Sequence, residues 1–258
     1  TITSVVLKNY NKIIGRDTSL VEMIPPFEAR RLFIKYIKSN GDSVTIDQNF
    51  RIFTEQQETS KNYYKISDGD SIIIQFQLPA GDNIIVSRTF VFYGDKYIIN
   101  SYNDLGGILD EMASDNYDLV WEGGIAYTAS MIKEDVSYSR ASACGGGETE
   151  NLDVKPGKTG SASLVGATYW TAIKTKYFVA ALIPHQPAEG YRLTGLGVPL
   201  QGKDFQKIFN MYLTLNASSE NAVKIYLGPL DYSIIKGLAP NFEHLMNFGF
   251  SLIRPISK

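Results

Sequence analysis

The chain has 258 residues, of which 44% are hydrophobic and 20% charged, with a formal net charge of −2. That balance supports a packed core and excludes a disordered chain, and the lack of any basic run excludes nucleic acid as a partner, because phosphate binding needs clustered Lys and Arg. No stretch of about 18 apolar residues occurs, so no helix within the sequence spans a bilayer, and the one cysteine, Cys144, allows no internal disulfide.

In chain order, Thr1 leads directly into an extended run, Ile2 to Leu7, with neither an initiator methionine nor a signal peptide, so the natural start is expected upstream. Arg31 to Ile37, Ser71 to Leu78, Ile84 to Tyr93 and Lys96 to Tyr102 are short, rich in β-branched and aromatic residues, and bounded by Gly, Asp, Asn or Pro. Each reads as a strand, with Gly94–Asp95 as the turn of a hairpin. Leu105 to Ala113 predicts a short helix. Arg140 to Gly160 is polar and carries Gly145, Gly146 and Gly147 in a row, which predicts a mobile surface loop.

Phe209, Met211, Leu213 and Leu215 alternate with polar or smaller neighbours, and Val223, Ile225 and Leu227 do so again beyond the polar segment 216–221. Two alternating runs around a polar turn predict an antiparallel hairpin with one buried face. Many short strands at regular spacing make the fold class mainly β: an antiparallel sandwich over residues 1–228, followed by short C-terminal helices over 229–258.

Pro229 suits a first helical position and Asp231 a first turn, while Leu230, Ile234, Ile235 and Leu238 share a face. Gly237 and Pro240 separate this helix from a second one over Phe242 to Arg254. On that helix Phe242, Leu245, Met246, Gly249, Leu252 and Ile253 form a stripe flanked by Phe248 and Phe250, an apolar arc of roughly 200°. Glu243, His244, Asn247, Ser251 and Arg254 lie opposite. So wide an arc needs an apolar surface to rest on, which is either the protein's own sheet, a partner, or the boundary of a lipid bilayer. The candidate contact residues are Phe242, Leu245, Met246, Phe248, Phe250, Leu252, Ile253 and Arg254.

No side-chain constellation points to catalysis, a metal or a cofactor. Pro156-Gly157-Lys158-Thr159 lacks the first glycine of a phosphate-binding loop, since Leu152 stands there, and Gly195-Leu196-Gly197 has Leu200 at the third glycine of a dinucleotide fingerprint. The two histidines, His185 and His244, have no second ligand at metal spacing. Asp110, Glu111, Asp115 and Asp118 lack the pattern of a calcium loop and read as a solvated face.

Two blocks carry a family resemblance. One is Gly166-Ala-Thr-Tyr-Trp-Thr-Ala-Ile-Lys-Thr-Lys-Tyr-Phe-Val-Ala-Ala-Leu-Ile-Pro184; the other is Tyr226-Leu-Gly-Pro-Leu-Asp231, followed by Leu238-Ala-Pro240, Phe248-Gly249 and Ile253-Arg-Pro255. Both resemble the large periplasmic domain of the YidC membrane insertase family, in a Tyr- and Lys-rich form similar to Bacteroidetes-type members. Arg88-Thr-Phe90 and Leu119-Val-Trp121-Glu-Gly-Gly124 are fainter echoes. Trp170, Tyr177, Phe178, Pro184, Gly228 and Pro229 carry the motifs and are expected to be structural.

The resemblance implies a β-supersandwich of the galactose-mutarotase-like kind on the periplasmic face of the bacterial inner membrane. It also implies an integral membrane parent, with a transmembrane helix before Thr1 and a five-helix insertase core after Lys258. Members of the family have a further N-terminal strand before the run matching Ile2 to Leu7, so one sheet edge is expected to differ here. The function expected on this basis is a non-catalytic module that positions the insertase. Its expected partners are the bilayer surface through the last helix, Sec translocon accessory subunits and nascent membrane proteins. The alternative is a carbohydrate-binding or mutarotase-like protein, in which Trp121 and Trp170 would stack on a sugar ring.

Overall fold

The computed structural model describes residues 2–14, 17–26, 31–46, 48, 50–54, 57–58, 63–80, 83–200, 204–218 and 222–246. Among them are β1 (Val6–Ile14), β2 (Asp17–Glu22), β3 (Arg31–Lys38), β4 (Ser43–Ile46), β5 (Arg51–Thr54), β6 (Gln57–Glu58), β7 (Ser71–Ala80), β8 (Asn83–Tyr93) and β9 (Ile98–Asp104). There follow β10 (Met112–Trp121), β11 (Arg140–Gly145), β12 (Glu148–Leu152), β13 (Thr159–Lys174), β14 (Phe178–Pro184), β15 (Ala188–Pro199), β16 (Phe205–Asn216) and β17 (Ala222–Pro229). The helices are α1 (Ile132–Tyr138) and α2 (Tyr232–Ile235), and 3₁₀ turns occupy Gly106–Glu111 and Phe242–Leu245.

Fifteen of these strands form one hydrogen-bonded sheet, in the order β4-β3-β10-β16-β15-β13-β14-β17-β9-β8-β7-β5-β6, with β11 paired to β13 and β12 to β11. All its pairings are antiparallel. The long strand β13 joins two halves. Its first part pairs with β15 from Thr159 to Thr168, and its last part pairs with β14 from Thr171 to Lys174. Near the end of the first part, between Val165 and Thr168, the register shifts next to Gly166, whose φ is 142°. A bulge of this kind sharpens twist and turns a sheet.

The two halves then face each other across one core. Leu119, Leu193, Phe209, Met211 and Leu213 come from one half, and Leu182, Val223, Ile225 and Leu227 from the other; all lie in a single cluster, almost fully buried. This is the sandwich that alternation predicts, since residues two apart share a face. The ribbon of β1 and β2 closes one side by adding Leu7 and Val21 to the same cluster.

The strands expected at Arg31, Ser71, Ile84 and Lys96 are present, and the turn at Gly94–Asp95 joins paired β8 and β9. Other expectations are corrected. β16 and β17 are both strands with the predicted buried faces, yet they do not pair: β16 lies between β10 and β15, and β17 between β14 and β9. The two strands therefore belong to opposite halves of the sandwich. Arg140 to Gly160 is largely an ordered hairpin of β11 and β12, with Gly146 and Gly147 at φ 60° and 87°. Two central residues at positive φ suit the tight turn that right-twisted strands prefer. Regular strand structure begins at Val6 rather than Ile2, Pro229 ends β17 opposite Phe178, and the helix expected near Leu105 is a 3₁₀ turn.

The rejected glycine motifs have a joint structural use. The Gly157 N–H donates to the Gly197 carbonyl at 2.8 Å, and the Gly197 N–H donates to the Lys158 carbonyl at 2.9 Å. A Cβ on Gly197 would sit 2.1 Å from the Lys155 carbonyl oxygen, so only glycine allows this approach.

Candidate functional site

β14 reads Phe-Val-Ala-Ala-Leu-Ile-Pro and is buried along its whole length. A strand with apolar residues at every position is covered on both faces. Phe178, Ala180 and Leu182 face the main core. Val179, Ala181 and Ile183 face outward into a second cluster, where Cys144, Trp170, Ala172 and Tyr226 meet Ile235, Phe242 and Leu245. The C-terminal turns are therefore the cover of this outer face.

The path of that cover is held by named contacts. Asp231 caps α2, its Oδ1 accepting from the Ser233 N–H at 2.8 Å. Asn241 turns the chain in the left-handed region at φ 58°. The Trp170 indole Nε1 donates to the Pro240 carbonyl at 2.8 Å, and its ring meets Phe242 edge-on at 5.2 Å. Tyr226 also meets Phe242 edge-on at 6.3 Å and donates its hydroxyl to the Pro229 carbonyl at 2.7 Å. Lys174 is 3% exposed and donates its Nζ to the Leu245 carbonyl at 2.6 Å. Burial, with a smaller contribution from Arg140, lowers the Lys174 pKa to about 8.

A second set of contacts fixes the neighbouring turn between β13 and β14. The buried Asp135 carboxylate on α1 accepts from the Thr128 and Ala129 N–H groups, both at 2.6 Å, and from the Lys176 N–H at 3.0 Å. Lys176 also pairs with Glu134 at 2.7 Å. Tyr177 in this turn is exposed, and its carbonyl accepts from the Leu230 N–H at 2.7 Å, tying the turn to the start of the C-terminal cover.

The sequence-derived candidates divide sharply. Phe242 and Leu245 are 0% and 1% exposed, so these two side chains of the expected contact surface pack on the chain's own sheet. The reason is geometric: residues three apart in a 3₁₀ turn eclipse, so both point the same way, inward. Met246 is half-buried and extended, at φ −82° and ψ 130°, so Phe242–Leu245 is a 3₁₀ turn that ends there rather than the first turn of one unbroken helix. Phe248, Phe250, Leu252, Ile253 and Arg254 lie outside the described residues.

Of the motif residues, Trp170, Phe178 and Pro184 are buried, Gly228 and Pro229 close β17, and Tyr177 is exposed. Gly228 must be glycine, because a Cβ there would meet Tyr97 Cβ and Cγ at 2.8 Å. Trp121 and Trp170 are both 0% exposed, so neither offers a face to a sugar. His185 and His244 are exposed and far apart in the chain. Among the described residues no group of three or more His, Cys, Asp or Glu could hold a metal ion. Lys174 and Asp135 escaped the sequence reading; for Lys174 the signal was a charge directly after the apolar run Ala172-Ile173, whereas Asp135 had no local signal.

The same arrangement of strands and C-terminal cover belongs to a chain with clear relatives. It is 29% identical over its full length to the membrane protein insertase YidC of Chlorobaculum parvum, covering 43% of that protein. It is 28% identical to YidC of Chlorobium limicola and 30% identical to YidC of Chlorobium phaeovibrioides, covering all of this chain and 44% of each of those. The chain thus spans less than half the length of these curated relatives. A solved α-galactosidase structure from Geobacillus stearothermophilus aligns with 82% of the chain and 32% of its own at 12% identity and a TM-score of 0.32, a likeness that carries no argument. The family described as the YidC periplasmic domain matches residues 1–258. With that match running from end to end, the chain belongs to the YidC periplasmic domain family, on the periplasmic side of the bacterial inner membrane.

Proposed function

We propose that this domain is a non-catalytic positioning module of a membrane protein insertase. In this reading the sandwich is a rigid body, and the segment beyond Met246 orients it against the bilayer. The observation that carries the reading is the attachment of the C-terminal turns: Trp170, Lys174 and Tyr226 pin residues 229–245 to the outer face of β14 and β17. A segment pinned in this way leaves the sandwich at a defined point, so whatever holds its far end also sets the orientation of the whole domain. The sequence beyond it, with Phe248, Phe250, Leu252 and Ile253 near Arg254 and Lys258, has the composition of an interfacial segment that puts apolar groups at the headgroup boundary and cations against phosphates.

Sec translocon accessory subunits and nascent membrane proteins are the proposed partners of the sandwich surface. Exposed Tyr63, Tyr102, Tyr138 and Tyr177 supply aromatic contact groups of the type enriched at interfaces.

Flotation of the chain with vesicles containing anionic phospholipid tests the membrane contact. Co-flotation that is lost when Phe248, Phe250, Leu252 and Ile253 are changed to Ser supports it, and equal flotation of both proteins overturns it. Pull-down with Sec accessory subunits tests docking, and no capture at micromolar concentration counts against it.

A further inference from the structure

Where β3 and β4 face β7, β8 and β9, the two halves do not close on each other. A cavity of about 410 Å³ remains between them, within the range of about 300–1,000 Å³ usual for small-molecule sites. Its wall is mainly apolar, from Phe50, Phe76, Phe90, Phe92, Ile99 and Ile225, and it reaches solvent beside exposed Ser4 and Gln48.

One side chain in this wall is out of keeping with the rest. Arg88 is 9% exposed and lines the cavity. Its Nε donates to Asn103 Oδ1 at 2.9 Å and its Nη1 to the Leu32 carbonyl at 2.7 Å, but among the described residues the buried Nη2 has no partner. Among the described residues no carboxylate pairs with it, so there the buried charge is not neutralised by an ion pair. Burial lowers its pKa only to about 10, so it is charged at neutral pH. An uncompensated buried guanidinium is strongly unfavourable unless an anion completes it.

The backbone around it is also held under strain. Leu32, another lining residue, stands at φ 61°, a left-handed conformation rare for a leucine, and this turns its carbonyl onto Arg88. Such strain persists where surrounding contacts impose it, and it gathers at ligand sites. Arg31, the residue before Leu32, also lines the cavity. The Arg88 ion is further steadied by the Phe90 ring, 5.2 Å from its Cζ, and by Asn103, which donates to the Tyr117 hydroxyl at 3.3 Å.

We propose that this cavity binds a single-chain anionic amphiphile, an alkyl carboxylate whose head accepts from Arg88 Nη2 and whose tail lies along the phenylalanine wall. The charge selects the head, the apolar wall selects the tail, and the volume suits one chain rather than two.

The test is a binding series on the 258-residue chain with dodecanoate, dodecanol, dodecyltrimethylammonium and acetate, followed by calorimetry and by the methyl resonances of its isoleucines. Dodecanoate is expected to bind tightest, with dodecanol roughly tenfold weaker, as a charge-assisted hydrogen bond requires. The cation and the tailless acetate are expected to bind more weakly still. The methyls of Ile46, Ile99 and Ile225 should shift on binding, and those of Ile183 and Ile235 should not. In Arg88→Gln the preference for carboxylate over alcohol should disappear. Should that variant fail to fold, Ile99→Trp at the half-exposed rim is expected to weaken acid and alcohol alike. Equal affinity for dodecanoate and dodecanol overturns the proposal, as does shifting confined to Ile183 and Ile235, or a folded Arg88→Gln that keeps the carboxylate preference.

Discussion

The indole of Trp170 on β13 holds the carbonyl of Pro240 at 2.8 Å, linking the sheet to a residue 70 positions later in the chain. Trp170→Phe keeps a ring against Phe242 but removes the donor. The expected cost is about 1–2 kcal/mol, read by urea unfolding. Amide exchange over residues 232–246 should quicken more than exchange in β14, because the cover opens before the sandwich does. Uniform quickening across both would show that cover and sheet unfold as one.

Cys144 gives a chemical readout of the same opening. It is 1% exposed in the cluster beneath the C-terminal turns, and burial raises its thiol pKa. Native thiol labelling is therefore expected to be slow. In Trp170→Phe the rate should rise by roughly tenfold for each 1.4 kcal/mol of local stability lost. An unchanged rate would mean that the thiol is exposed by another motion.

Gly228→Ala places a methyl 2.8 Å from Tyr97 Cβ and Cγ, in a position that neither side of the pair can readily vacate. A loss of about 1–3 kcal/mol is expected from this overpacking. A thermal midpoint equal to that of the parent chain would show that Tyr97 can move aside.

Lys174 predicts an unusual pH response. Its amine titrates near 10.5 when unfolded and near 8 when folded. Between those values the unfolded chain holds the extra proton, so this group makes the fold more stable as pH rises, whereas below pH 8 the buried ammonium is a burden. From pH 7 to 9.5 the gain is expected to be about 2 kcal/mol. Lys174→Met should be more stable than the parent at pH 7 and should lack that gain. Parallel stability curves for the two proteins would refute this account.

Asp135 gathers three backbone donors from two segments into one buried carboxylate. Asp135→Ala orphans all of them, and a loss of roughly 3 kcal/mol is expected. Proteolysis should then begin near the turn that carries Tyr177, and a cut elsewhere would place the weak point outside this turn.

Local pattern made much of this protein legible. The alternation of Phe209, Met211, Leu213 and Leu215 and of Val223, Ile225 and Leu227 marked which side chains are buried, because a strand displays its period of two without reference to any neighbour. The same pattern misled about pairing. Adjacent strands in sequence usually pair, but here β16 and β17 line opposite walls of one core, and nothing within either strand encodes its partner. The glycine run at Gly145–Gly147 looked mobile on composition, although two positive-φ glycines between pairing strands are also a tight turn.

The sequence by itself determined the strand faces, the mainly β class and, through the blocks around Trp170 and Gly228, the family. Those follow from short-range spacing and residue identity. Only the tertiary structure decided where the apolar residues of the C-terminal turns go and which charges are buried. Phe242 is as greasy on a lipid surface as on a sheet, and amphipathicity reports the need for a cover without naming it; the outer face of β14 supplied one. Arg88 and Lys174 look in sequence like any other cations. Their meaning arises from burial among strands brought together from distant parts of the chain.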